Sequence, residues 1–109
     1  MKTYRLALEM VQEIAAINRR IERRDADLAR QLRRASMSVP LNISEGMYSR
    51  GKNRPARLSN AMASAKESVA CLEVAVAVDY LDRENIAGAL AQLDHLVAAL
   101  WNMVHKPWR

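Results

Sequence analysis

The sequence predicts an all-α protein, an antiparallel up-and-down four-helix bundle whose second helix is kinked at Pro40. Three observations carry this. Apolar residues recur at spacings of three and four through four separate segments, which is the period of one helix face and not the alternation of a strand. The 109 residues include no phenylalanine, three glycines and three prolines, and half of them are apolar. Such a composition suits helices packed closely through small side chains. The segments are separated by short polar breaks, and short connections make helical neighbours antiparallel. A single domain spanning residues 1–109 follows.

The first segment, Thr3 to about Ile21, carries Leu6, Met10, Ile14, Ile17 and Ile21 on one face. Asp25 is placed to cap the second helix, with Asp27 in a first turn whose dipole favours a carboxylate. The second stripe is Leu28, Leu32, Ala35, Val39 and Ile43, and it continues past Pro40. Proline inside a helix removes one backbone hydrogen bond and crowds the preceding turn, at about 3 kcal/mol in an exposed host. Because the stripe does not stop, a kink is expected there and not an end. Gly46 reads as the residue just beyond that helix, and Tyr48 to Asn53 as the one clear loop. Pro55 suits the first turn of a third helix reaching Leu81, with Leu58, Met62, Ala65, Val69, Leu72 and Val76 as its seam. Asp82 then caps a fourth helix, lined by Ile86, Leu90, Leu93, Val97, Leu100 and Val104.

One stretch is more apolar than a lone bundle requires. Val69 to Leu81 reads VACLEVAVAVDYL, interrupted only by Glu73 and Asp79. A helix apolar all round is covered on both sides, and three neighbouring helices cover only one. Ala70, Val74, Ala77, Val78 and Leu81 are therefore the candidate interface of a homo-oligomer.

Several chemistries find no footing. Cys71 is the only cysteine, so neither an intrachain disulfide nor a thiolate cluster can form within one chain, and it reads as a small buried hydrophobe. Neither His95 nor His105 follows a glutamate by three residues, the spacing di-iron bundles use. His95 beside Asp94 reads as a solvated or interface pair, and no metal site is assigned. Gly46, Gly51 and Gly88 are isolated, so there is no phosphate-cradling glycine loop. Ser36, Ser38 and Ser44 have no base evident in sequence. No catalytic residue, enzyme activity or cofactor is assigned. Arg5 and Glu9 interrupt any apolar leader core, and no charge-free apolar run reaches the roughly 18 residues a membrane span needs. The expected location is the cytoplasm, with no membrane partner.

The segment Gln31–Gly46, QLRRASMSVPLNISEG, resembles the signature of the bacterial four-helix bundle protein family, also described as proteins encoded by intervening sequences of the 23S ribosomal RNA gene. The matching elements are Arg34-Ala35, Ser38-Val39-Pro40, Asn42-Ile43, Ser44 and Glu45-Gly46, with Ser44 where alanine is commoner. Ala61, Ser64 and Glu67 match the family's next element, and Tyr80–Ile86 agrees in spacing. The resemblance implies a four-helix bundle, often a homopentamer, and a relationship to the accessory protein of diversity-generating retroelements, a positively charged pentamer that binds nucleic acid and a reverse transcriptase. It speaks to fold and assembly more than to activity. On the residues themselves, Ser38 and Asn42 lie four apart on one helix face, with Glu45 a turn beyond. They can form a polar network at the bend. That network is either a device specifying the bundle or a site for a ligand or partner.

Charge is unevenly spread. The net is +5, but residues 1–57 hold 13 Lys/Arg against 6 Asp/Glu and the remainder 4 against 6. Arg19, Arg20, Arg23, Arg24, Arg30, Arg33 and Arg34 flank the first interhelical turn; Arg50, Lys52, Arg54 and Arg57 follow the second helix. Arginine predominates, as suits bidentate phosphate contacts. These residues either bind a partner or keep the surface soluble. The functional expectation is a non-enzymatic homo-oligomer binding RNA or DNA, or a ribonucleoprotein, through phosphate contacts of low sequence specificity. Tyr48 is the only aromatic interleaved with these arginines, so base stacking draws little support from that pattern. The alternative is a protein-interaction scaffold for an acidic protein partner.

Overall fold

A computed structural model describes residues 1–49, 51 and 53–106. Four α-helices are present among them and no strand: α1 (Lys2–Glu22), α2 (Ala26–Tyr48), α3 (Asn53–Ala77) and α4 (Arg83–His105). Each packs lengthwise on two others, α1 on α2 and α4, and α3 on α2 and α4, in a body of 47 × 22 × 19 Å. All four helices contribute to one apolar core.

Every predicted stripe lies at that core, although its centre is displaced by a residue or so. On α1 the fully buried set is Ala7, Met10, Ile14, Asn18 and Ile21, with Leu6 and Ile17 packed at its margin. Asn18 is the polar member. Its Nδ2 donates to the Ala29 carbonyl at 2.8 Å and so ties α1 to α2. On α4, Ala89 and Leu96 join Ile86, Leu93 and Leu100 in the interior, while Leu90, Val97 and Val104 are half-buried. The α3 interior is built largely from Ala61, Ala65, Ser68, Cys71 and Ala75 around Leu58 and Leu72. Such short side chains let helix backbones approach closely. Burial, and then nearby Glu67, push the Cys71 thiol above its ordinary range, so it remains a protonated packing group.

Three helix ends show how the chain punctuates itself. Asp25 caps α2 as expected, its Oδ1 accepting from the Leu28 N–H at 2.9 Å. Asp82 precedes α4, and its own N–H donates to Asn85 Oδ1 at 2.8 Å, one arm of a capping box. Gly46, however, does not end α2. The helix continues to Tyr48 and is closed by Ser49, whose hydroxyl donates to the Glu45 carbonyl at 2.8 Å. Gly46 is buried inside the helix, where an added Cβ would lie 3.0 Å from Leu58 Cδ2. Its smallness serves the α2–α3 approach; the left-handed residue of the following turn is Gly51, with φ +61°.

The third helix is shorter than expected, ending at Ala77 and not Leu81. The Tyr80 N–H reaches back to the Ala75 carbonyl at 2.8 Å and the Asp79 N–H to that of Val76 at 3.1 Å. Asp79 stands between them at φ +63°. This pair of bonds is a Schellman stop, with aspartate where glycine is usual. Periodicity alone cannot reveal it. The turn also swings Leu81 into the core, where it is only 3% exposed, so Leu81 is withdrawn from the candidate interface.

The first and third connections are clasped together. Tyr80 Oη donates to Asp25 Oδ2 at 3.0 Å, and the Arg24 guanidinium lies over the Tyr80 ring, 5.4 Å from its centroid. The Leu28 N–H and then the Tyr80 hydroxyl hold the Asp25 carboxyl below its ordinary 3.8. The Tyr80 phenol is pushed above its ordinary 10.0, chiefly because Asp25 accepts its proton. A carboxylate with a lowered pKa contributes stability that is complete above 3.8 and lost as pH falls through the folded value. A phenol with a raised pKa contributes stability that is complete below 10.0 and lost as pH rises through the folded value. Tyr80→Phe should therefore lower the urea midpoint between about pH 4 and about pH 10, and the gap from wild type should narrow on either side. Urea titrations at about pH 3, 7 and 11 check this; a gap equally wide at all three would mean that the hydrogen bond does not contribute.

Candidate functional site

The signature residues come together along one groove. It runs between α2 and α3, encloses about 980 Å³, and is lined by Ser38, Asn42, Ser64, Arg34, Met37 and Leu41 with charged groups at its margins. Residues one turn apart on α2 share a face, which places Arg34, Ser38, Asn42 and Glu45 in a row. Asn42 Nδ2 donates to both the Ser38 carbonyl and Ser38 Oγ, each at 2.9 Å. From α3, the Ser64 hydroxyl donates to the same Ser38 Oγ at 2.9 Å. Ser38 thus accepts from two helices at once.

Glu45 is not part of this network. Its Oε2 lies 2.9 Å from Arg57 NH1, an exposed ion pair that joins the end of α2 to the beginning of α3. The network expected from Ser38, Asn42 and Glu45 is therefore Ser38, Asn42 and Ser64, with Glu45 drawn off by an arginine. Pro40 is buried within α2, two residues from both Ser38 and Asn42, and supplies no N–H to the Ser36 carbonyl. The Ser36 hydroxyl donates to the Arg33 carbonyl at 3.2 Å.

The basic residues separate into two states. Arg30 pairs with Asp27 at 3.3 Å, Arg33 with Glu22 at 3.1 Å and Arg57 with Glu45 at 2.9 Å, and all six side chains are substantially exposed. Pairs of that kind contribute at most about 1 kcal/mol. Arg24 is engaged over Tyr80. By contrast, no carboxylate among the described residues lies within ion-pair distance of Arg19, Arg20, Arg23 or Arg34. Arg19 and Arg20 occupy the last turn of α1, where the negative end of the helix dipole supports a cation. Arg34 faces the groove beside Arg30 and Arg57. Arg54 is half-buried in the first turn of α3, and Arg50 and Lys52 lie outside the described residues.

Val74 of α3 and Val78, the residue just beyond its end, are 47% and 48% exposed, and Ala70 and Ala77 are exposed beside them. Four of the five interface candidates thus form an outward apolar strip, without Leu81. Asp94 and His95 both face solvent. Among the described residues no group of three His, Cys, Asp or Glu side chains can hold a metal ion, and no helix is long and apolar enough to cross a membrane.

A ring of four helices with a serine–asparagine network beneath a buried proline defines an all-α protein whose distinguishing chemistry lies on the α2–α3 face. The chain belongs to the 23S rRNA-intervening sequence protein family, which matches residues 1–102. It is also similar in structure to a protein of unknown function from the S23 ribosomal protein family of Bacteroides thetaiotaomicron. The TM-score is 0.86 at 18% identity, over 95% of this chain and 99% of that one, a likeness of fold. No curated protein matches the chain.

If the network specifies the α2–α3 pairing, Asn42→Leu should cost about 1 kcal/mol by removing both of its donations to Ser38. For a domain of this size that corresponds to roughly 4–8 °C in Tm. Ser64→Ala should cost less, because Asn42 continues to serve Ser38. Thermal unfolding followed by circular dichroism checks both, and an unchanged Asn42→Leu transition would make the network energetically silent.

Proposed function

We propose that this protein is a non-enzymatic, cytoplasmic homo-oligomer, in form an up-and-down bundle bent at Pro40, that binds nucleic acid or a ribonucleoprotein through its arginines. The observation that carries the reading is the cluster Arg19, Arg20 and Arg23. These are exposed cations with no carboxylate partner among the described residues, at one end of an elongated body. Phosphate binding there displaces no internal ion pair, and counterion release supplies the driving force. The up-and-down arrangement draws support from register: Ser38 meets Ser64 and Glu45 meets Arg57, so numbering rises on α2 as it falls on α3. Connections of three to five residues between helices agree with it.

A second reading rests on the groove. Asp27, Glu45 and Glu67 stand beside Arg30, Arg34 and Arg57, a mixed-sign lining that suits a protein segment better than a phosphate chain. In this reading the protein is an interaction scaffold, its exposed arginines meeting the acidic side chains of a protein partner and its groove the partner's mixed charges.

Titration of labelled RNA and DNA at two salt concentrations separates the two. If a protomer neutralises about three phosphates, log K against log salt should slope near −3 for duplex and −2 for single strands. Replacing Arg19, Arg20 and Arg23 together by Gln should weaken binding to every sequence alike, by about tenfold or more. The triple change at Arg30, Arg33 and Arg57 should cost less, since each already has a carboxylate partner. Absence of binding at low salt would discard the nucleic-acid reading in favour of the scaffold.

Self-association is tested on the α3 strip. Val74→Glu or Val78→Glu should lower the mass found by sedimentation while preserving helicity, because the carboxylate would be buried at the interface. A wild-type monomer at micromolar concentration would remove the interface.

A further inference from the structure

The outward face of α2 carries a row that the bundle core does not use. Arg30, Arg34, Met37, Leu41, Ser44 and Tyr48 follow one another at spacings of four and three without a break, a heptad pattern on the side of the helix away from its buried residues. Met37, Leu41 and Tyr48 are 44%, 63% and 86% exposed. Apolar side chains scattered singly over a surface need no explanation, but a helical row of them beside an open groove marks a contact face.

The charges of the row sit on opposite sides of its apolar centre. Arg30 and Arg34 precede Met37 and Leu41, and Glu45, next to Ser44, follows them. Arg34 has no carboxylate within ion-pair distance among the described residues. Glu45 stands eleven residues further along the same helix, about 17 Å away on its axis, so the two do not meet within one chain. Glu45 Oε2 holds Arg57 NH1 at 2.9 Å, and a carboxylate has lone pairs enough to serve a second arginine. The row therefore carries both halves of an ion pair that one copy leaves unmade.

We propose that this row is a two-fold interface with α2 of a second copy, the helices antiparallel and the axis level with Val39. In that register Met37 meets Leu41 of the second copy, Arg34 meets Ser44 and Glu45, and Arg30 lies against the Tyr48 ring. Two-fold symmetry makes each contact occur twice. Charge selects the arrangement. A parallel pair sets Arg30 on Arg30 and Arg34 on Arg34, which like charges oppose. Shifting the antiparallel pair by one heptad either sets Arg34 on Met37 or carries it beyond the end of α2. The proposal rests on the reading of the groove as a face for protein and names the partner; it is separate from the α3 strip, which lies on another helix.

The test is sedimentation of the full chain at micromolar concentration and physiological salt, in a Val74→Glu background so that the α3 strip takes no part. Val74 is 47% exposed in the single chain, so the carboxylate is tolerated there. The background chain should be a dimer. Arg34→Glu and Glu45→Arg should each raise the dimer dissociation constant by about tenfold or more, since every change is felt twice, and the two together should restore it by exchanging the partners. Leu41→Ser, at a side chain already open to water, should weaken the dimer without loss of helicity by circular dichroism. A monomeric background chain, single charge changes without effect, or a double change no tighter than the singles would overturn the interface. Titration with poly(glutamate) separates that failure from failure of the groove reading. If copies do not pair but poly(glutamate) binds and Arg34→Glu weakens it, only the choice of partner is wrong. If neither pairing nor poly(glutamate) binding occurs, the reading of the groove as a face for protein fails as well.

Discussion

The close approach of α2 to α3 is the constraint on which the rest of the structure depends. Small residues are buried on both helices, Ala35 and Gly46 on α2 and Ala61, Ala65 and Ser68 on α3, and Gly46 lies directly against Leu58. With so little side chain between the backbones, each atom gains neighbours on every side, and dispersion contacts accumulate. The same closeness allows Pro40 to lie inside a continuous helix. Its missing N–H leaves the Ser36 carbonyl without its usual helical donor, and the burial of Val39, Pro40 and Ile43 opposes that loss. It also brings a hydroxyl from α3 within 2.9 Å of one on α2, a distance that larger flanking residues would not permit. The network is thus a consequence of close packing as well as a means of fixing its register.

Other features follow from that pairing. With α2 and α3 fixed together, their shared margin becomes the groove, and the charges along it are those the α2 face carries. At one end of the body the chain turns twice within a few ångströms, and the Asp25–Tyr80 hydrogen bond joins those two turns. Arg24 is taken up by the ring that makes the clasp, whereas Arg19, Arg20 and Arg23 remain on its outside. The fold therefore sorts a run of arginines that look equivalent in sequence into one with a structural partner and three facing water.

How much of this was legible varied with the kind of signal. Helix number and apolar faces were legible because burial acts on every third or fourth residue, so a few displaced positions, such as Leu96 for Val97, do not blur the period. The Asp25 and Asp82 caps were legible because capping is local chemistry. The ends of α2 and α3 were not. Gly46 looks like a terminator and acts as a packing residue, which depends on Leu58, twelve positions away. Asp79 adopts the left-handed conformation that sequence reasoning reserves for glycine or asparagine. Within the site, Ser38 and Asn42 were found by their spacing on one helix, whereas Ser64 as their partner and Arg57 as the captor of Glu45 required the tertiary register. Asn18 was missed for a similar reason. It breaks no pattern, and its meaning lies in what surrounds it.

The pairing state of each cation, more than the number of cations, decides what the basic surface can do. An exposed ion pair is weak enough for a phosphate to replace its carboxylate, but the exchange releases a carboxylate that then repels the incoming strand. An unpaired arginine imposes no such penalty. By this measure Arg19, Arg20 and Arg23 are the residues prepared for an anion, and Arg30, Arg33 and Arg57 are prepared to hold the surface in shape. Along the groove, where both signs alternate within a few residues, a uniformly anionic strand gains on one contact what it loses on the next. A polypeptide with its own alternating charges does not. On the two proposals above, nucleic acid would meet the unpaired arginines at one end and a protein segment the mixed-sign flank. The two readings compete less than their shared arginines suggest, because they use different residues and the same rigid α2–α3 pair separates them.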